Sequence, residues 1–451
     1  MSSFESAERN ESRTMFKNSN TLLARGRSGS TSTGMLLLSI LFGGLSLAGC
    51  ASGTSTSTPA TASGTVYTYQ GVSNLTPADA GGEYVPFWTF ILEDAENSFS
   101  YDPAINNSNN LPLITSGTSS ADNGYLALTT VGQPTAAQGY ALTIPGEAAL
   151  LRPGDSTTPP VITAGMSSCP IVSSSETFLF VALPGAFWNP ATSAAYGSIQ
   201  AGTDATGTAW SFSNQSQSLF AGSGTPPVYP ASFTGTCGQG INGYSIGVLP
   251  TYTWPTYEPQ LSVSPSGFFT ETTTGAVVGD IGIKVQQPFI GVVAPSSALD
   301  TTSLAAGKYL GFVYESLLST APNQNATTQL VSFGSGAAGS GTSMTGGVFP
   351  NDDPSQTPAS NITVNFGTQS AGQNGLYTGV TVTIPDTNTS RAGLANCANG
   401  GGTSGTAPNG SPTCTFPAVA IAGNPQSKFA IFLIGQDPSQ EAPFGLYLYQ
   451  Q

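Results

Sequence analysis

Hydrophobic positions along this chain fall in short runs of β-branched and aromatic residues, each bounded by Gly, Pro, Asn or Asp. Residues 65–71, 87–93, 124–131, 140–145, 177–183, 244–249 and 268–273 have this form. So do 282–285, 289–293, 309–314, 329–333, 362–366, 380–384, 428–434 and 445–449. Runs of this kind that end at turn-forming residues are the pattern of strands. Residues 94–97, between 88–92 and 98–101, predict a hairpin tip. No window of about 11 residues carries apolar positions at helical spacing. The pattern therefore predicts an all-β protein, a sandwich or a barrel-like closed sheet.

Boundaries follow from where the runs stop. Residues 249–259 (LPTYTWPTYEP) hold three prolines and read as a link between two β domains or as a stiff aromatic loop. On the first reading, 65–250 is one β-rich domain, and 258–451 is a second or a continuation of the first. Residues 334–361 are dominated by Gly, Ser, Thr and Pro and are longer than ordinary loops, so they predict a flexible insertion. No self-similarity at a fixed period supports a propeller or solenoid.

One apolar run differs from the rest. Residues 35–47 (MLLLSILFGGLSL) are uncharged and too short for a spanning helix, which needs about 20 apolar residues. They fit the apolar region of a secretory signal. Arg9, Arg13, Lys17, Arg25 and Arg27 precede them, and a start at Met15 would keep the last three in a leader of ordinary length. The run closes on Leu47-Ala48-Gly49-Cys50, with small residues before a cysteine. This resembles the signal peptide of bacterial lipoproteins. The resemblance covers residues 35–50 and implies removal of 1–49 and acylation of Cys50, palmitate included. It further implies export by the general secretory route, and Ala51 in place of Asp implies delivery to the outer membrane. Residues 50–64 are rich in Ser and Thr and uncharged, and read as a flexible tether.

Charge narrows the partners. Residues 1–49 hold five of the ten Lys and Arg and three of the 24 Asp and Glu, which leaves five basic and 21 acidic residues. Recognition of a phosphate backbone depends on Lys and Arg, so nucleic acid is excluded as a partner. The membrane contact expected is the lipid on Cys50 alone. A glycan or an envelope protein remains as the ligand class.

Four further cysteines, Cys169, Cys237, Cys397 and Cys414, read as two disulfides in an exported chain. Proximity favours Cys397–Cys414 with Cys169–Cys237. No Cys-x-x-Cys spacing and no histidine are present, so a thiolate metal site is disfavoured and no cofactor is expected.

The absence of histidine also removes Ser-His-Asp and Cys-His catalysis, and no Gly-x-Ser-x-Gly elbow occurs. Carboxylates could still act in pairs, as in glycosidases. Glu93, Asp94 and Glu96 form the densest cluster, beside Trp88 and Tyr101, and read more simply as a solvated hairpin tip. Asn351, Asp352 and Asp353, and separately Asp386, Asn388 and Ser390, are candidate oxygen ligands for Ca²⁺. Arg391 and Cys397 break the second pattern, and both groups read as surface-loop acids. Tyr244, Tyr252, Trp254 and Tyr257, set among prolines, are candidate stacking residues for a sugar or peptide, with core packing as the plainer reading. The expectation is a lipid-anchored, non-catalytic extracytoplasmic β protein acting in binding, adhesion or envelope organisation. The alternatives are a carboxylate-dependent glycan-active enzyme and an accessory subunit of an outer-membrane transport or secretion complex.

Overall fold

Among the described residues, twenty-five strands in antiparallel order build three rings, each from a consecutive stretch of chain. The computed structural model describes residues 65–73, 87–94, 97–103, 116–130, 139–156, 158, 160–165, 176–182, 195–204, 207–213, 232–240, 243–250, 260–264, 266–275, 285–315, 327–334, 341–386, 397, 402–437 and 442–451. The first ring runs from β1 (Val66–Ser73) to β8 (Val161–Gly165), and pairing of β1 with β8 closes it. The second runs from β9 (Thr177–Ala182) to β16 (Val285–Val293), closed by β9 against β16.

The third begins at β17 (Tyr309–Glu315) and ends at β25 (Ala442–Gln450). Its nine strands are ordered so that β21 (Leu376–Pro385) and β23 (Pro412–Gly423) pair with each other, which joins the run into a ring. The short β22 (Thr403–Thr406) hangs on β23 and is exposed throughout. The all-β expectation holds, and the architecture is barrels rather than a sandwich. Closure removes the free edges that an open sheet would leave.

Each wall strand sorts its side chains by parity. In β7 (Ala148–Arg152), Ala149 and Leu151 face a core inside the first barrel with Tyr69, Phe90, Leu92 and Phe99. Ala148 and Leu150 face outward, yet they are buried as well. The same holds in β24 (Ala430–Asp437), where Ile431 and Leu433 point into the third barrel and Ala430, Phe432 and Ile434 point out of it. The outward residues of all three barrels merge into one core, which includes Tyr125, Leu150, Leu179, Ile290, Phe312, Phe432 and Tyr449. Burial on both faces makes these strands continuously apolar rather than alternating. It is also why Thr61–Gln451 behaves as a single compact unit.

Two boundaries differ from those expected. The strands on either side of 251–259, β13 (Gly243–Pro250) and β14 (Gln260–Val263), pair within the second ring. A division at 250/258 therefore does not coincide with a change of sheet; the rings change between Gly165 and Thr177 and between Val293 and Tyr309. The stretch 334–361, expected as a flexible insertion, contains β19 (Ser343–Val348), which pairs with strands on both sides. Its glycines are needed there: a Cβ on Gly346 or Gly347 would meet the backbone carbonyl of Ser332 or Ala359. Composition read as looseness is in this case close packing.

Candidate functional site

The barrels meet through a few polar side chains, carried to the junctions by turns and strand ends. Asn123 and Gly124, both at positive φ, make the two-residue turn between β4 (Ser116–Asp122) and β5 (Tyr125–Thr129). That is the turn an Asn-Gly pair favours between twisted strands. It delivers Tyr125 against the third barrel, where the Tyr125 hydroxyl lies 2.8 Å from the carbonyl oxygens of both Gly311 and Val331. The Gly311 amide donates back to that hydroxyl at 3.1 Å. Burial pushes the Tyr125 phenol well above the usual tyrosine range.

A second junction gathers one turn from each barrel around Glu147. This residue, 6% exposed, ends the turn from β6 (Gly139–Ile144) into β7. Its Oε2 accepts from the Ser266 amide at 2.9 Å and from the Ser266 hydroxyl at 2.5 Å. Its Oε1 accepts from Gln426 Nε2 at 3.2 Å, and Gln426 itself sits at positive φ in the turn before β24. Three donors from two other barrels engage the buried carboxylate, so it serves as a clasp.

Arg152 forms the third junction. It is 2% exposed, lies 5.3 Å from the Tyr140 ring centre, and donates to the carbonyls of Gly154 at 3.2 Å and Thr328 at 3.0 Å. It also ion-pairs with Asp352. Asp352 accepts from the Leu330 amide as well, and Asp353 caps its own turn through Ser355 and Gln356. Of the two acids, Asp352 thus helps hold the third barrel to the first, and Asp353 fixes its own turn. Among the described residues no group of three or more acidic, Cys or His side chains could hold a metal. Asp386 is described and partnered, whereas Asn388, Ser390 and Arg391 lie outside the described residues.

Between the second and third barrels a cleft of about 450 Å³ remains open. Glu176, Thr177 and Leu179 at the start of β9, and Ser198 on β10 (Ala195–Asp204), form one side. Val293, Ala294 and Pro295 form the floor of the strand exit, and Gly372, Gln373 and Asn374 close it from the long turn before β21. The turn is held in place: Asn374 Nδ2 donates to the Pro295 carbonyl at 3.0 Å, and its Oδ1 accepts from Gln369 Nε2 at 3.3 Å. Gln373 Nε2 reaches Ser198 Oγ at 3.4 Å. Burial holds the Glu176 carboxyl above the usual carboxylate range.

The residues singled out from sequence fall elsewhere. Cys397 and Cys414 are bonded, with Cα atoms 5.6 Å apart, and both are buried in the third barrel. Cys50, Cys169 and the side chain of Cys237 lie outside the described residues. So do Tyr252, Trp254, Tyr257 and the side chain of Tyr244, whose backbone pairs with Gln239. Glu93 and Asp94 stand at the tip of the hairpin between β2 (Phe87–Glu93) and β3 (Ser98–Pro103), where Ser98 Oγ donates to Glu93 at 3.2 Å and Asp94 is exposed. Glu96 is outside the described residues. The structure does not bring these acids to the cleft. Glu147, Arg152 and Glu176 escaped notice in the sequence, although in a chain with only 8% charged residues each lone charge beside a strand is a signal.

No family model matches the chain, and no curated protein matches it. Among solved structures, it is similar to a double mutant of transferrin-binding protein B from Haemophilus parasuis at 9% identity, covering 86% of this chain and 76% of that one with a TM-score of 0.24. A second is isotype 1 transferrin-binding protein B from serogroup B Neisseria meningitidis, at 8% identity, 85% and 76% coverage and a TM-score of 0.24. A third, intact transferrin-binding protein B with both lobes, gives 11% identity, 86% and 77% coverage and a TM-score of 0.23. Likeness at this level says nothing of what this chain binds.

Proposed function

We propose that this is a lipid-anchored, non-catalytic β-barrel protein of the cell envelope, exported by the general secretory route, held at the outer membrane by acyl chains on Cys50, and acting by binding. The run 35–47 closing on Leu47-Ala48-Gly49-Cys50 carries this reading. Buried acyl chains contribute about 0.8 kcal/mol per methylene, and more than one chain makes attachment durable. Packing supports the binding role. The interiors of the first and third barrels are filled with side chains, so ligand contact falls to outer surfaces and to the spaces between barrels.

The test is Cys50→Ser in the full-length gene. The wild type should sediment with membranes and incorporate labelled palmitate, and the variant should do neither. Sedimentation of the variant with membranes to the same extent overturns the reading.

A further inference from the structure

We propose that the cleft between the second and third barrels binds a small organic cation, a primary ammonium on a short apolar or hydroxylated body. This deepens the binding role proposed above, and it stands or falls separately from the anchor. The first argument is charge. Among the described lining residues Glu176 is the one ionisable side chain, with no Lys or Arg beside it. An anion would meet a carboxylate there with nothing to offset it, whereas a cation would supply the missing counter-charge. The acidic body of the protein further raises the local concentration of cations.

Hydrogen bonding at the carboxylate favours a donor-only ligand. Gln373 and Asn374 already direct amide N–H groups to Ser198 and to the Pro295 carbonyl. Beside these amides the lining carries the Glu176 carboxylate, which only accepts when ionised, and the Thr177 hydroxyl, which can accept or donate. An ammonium carries three donors and no acceptor, and so matches the carboxylate directly. The third argument is shape. Leu179, Val293, Ala294 and Pro295 give an apolar wall beside the acid, and a volume of about 450 Å³ suits a small molecule rather than a chain segment.

Burial raises the Glu176 carboxyl, and a bound ammonium would supply a counter-charge that offsets this desolvation. Among the described residues, no hydrogen bond engages the carboxylate in the free protein.

The experiment is calorimetric titration of the detergent-purified full-length protein with butylamine and with glucosamine, using glucose and butyrate as controls. Saturable binding of both amines, absent for glucose and butyrate, is expected. Glu176→Gln should weaken amine binding about tenfold or more without lowering thermal stability, since it removes a partly buried unpaired charge. Gln373→Ala should weaken it less. Failure of both amines to bind at about 10 mM, equal binding of glucose, or unchanged affinity in Glu176→Gln would overturn the proposal. None of these outcomes depends on whether Cys50→Ser releases the protein from membranes.

Discussion

The Tyr125 hydroxyl and the backbone of Gly311 form a two-way contact across 186 residues of sequence, with the amide donating to the phenol and the phenol lying 2.8 Å from the carbonyl. A side chain of the first barrel thereby completes the backbone bonding of a strand in the third. The contact is buried, so its loss exposes polar groups to an apolar surrounding rather than to water.

Tyr125→Phe keeps the ring, which packs edge-on against Tyr140, Phe312 and Phe349, and removes only the hydroxyl. The expected cost is about 1–3 kcal/mol in urea denaturation, that of leaving a buried carbonyl unmet. Gly311→Ala should cost at least as much, because its methyl would meet the Tyr447 carbonyl, a backbone atom that cannot turn aside. A Tyr125→Phe protein as stable as the wild type would show that the contact contributes nothing.

Strands with mixed β-branched and aromatic faces were legible in the sequence, and β2 coincides with its run 87–93. Strands buried on both sides were not. β7 reads Ala-Ala-Leu-Leu-Arg and has neither alternation nor β-propensity, since its fit comes from small residues between two cores. β4 is almost wholly polar, and β16 continues through Pro288, where the pattern leaves two separate runs, 282–285 and 289–293. The cleft was illegible for another reason. Glu176 lies beside β9, and its neighbours Gln373 and Asn374 belong to a turn of a different barrel, so no local pattern joins them. The Cys397–Cys414 bond was legible because a loop poor in apolar residues has few other means of closure.

That disulfide gives the second prediction. It closes a loop of sequence separation 17 around the exposed strand β22 and places both sulfurs in the third barrel's core. Cys397→Ser with Cys414→Ser frees the loop in the unfolded chain and puts hydroxyls into an apolar site. A loss of about 3 kcal/mol is expected from the loop-closure argument. Urea denaturation measures it, and reduction of the wild type should reproduce most of it. An unchanged midpoint in both would mean that the loop is held by its strand pairing alone.

Alkaline pH tests the packing between and within the barrels together. Burial pushes Tyr140 and Tyr377 up to about 12, and holds Tyr69, Tyr125, Tyr309, Tyr447 and Tyr449 well above the ordinary tyrosine range. An unfolded tyrosine ionises near pH 10. Below that pH both states hold the proton, and the stability is complete. Above it the unfolded chain releases protons that the folded chain retains, so stability falls as pH rises and continues to fall until the folded phenols ionise. Phenolate absorbance and far-ultraviolet circular dichroism, followed in one alkaline titration, separate the two classes of tyrosine. Exposed phenols should ionise near pH 10 with the β signal intact, and the buried set should ionise only as that signal is lost. If every phenol titrated near pH 10 while the sheets persisted, the tyrosines would be open to water and the shared core among the three barrels could not be closed.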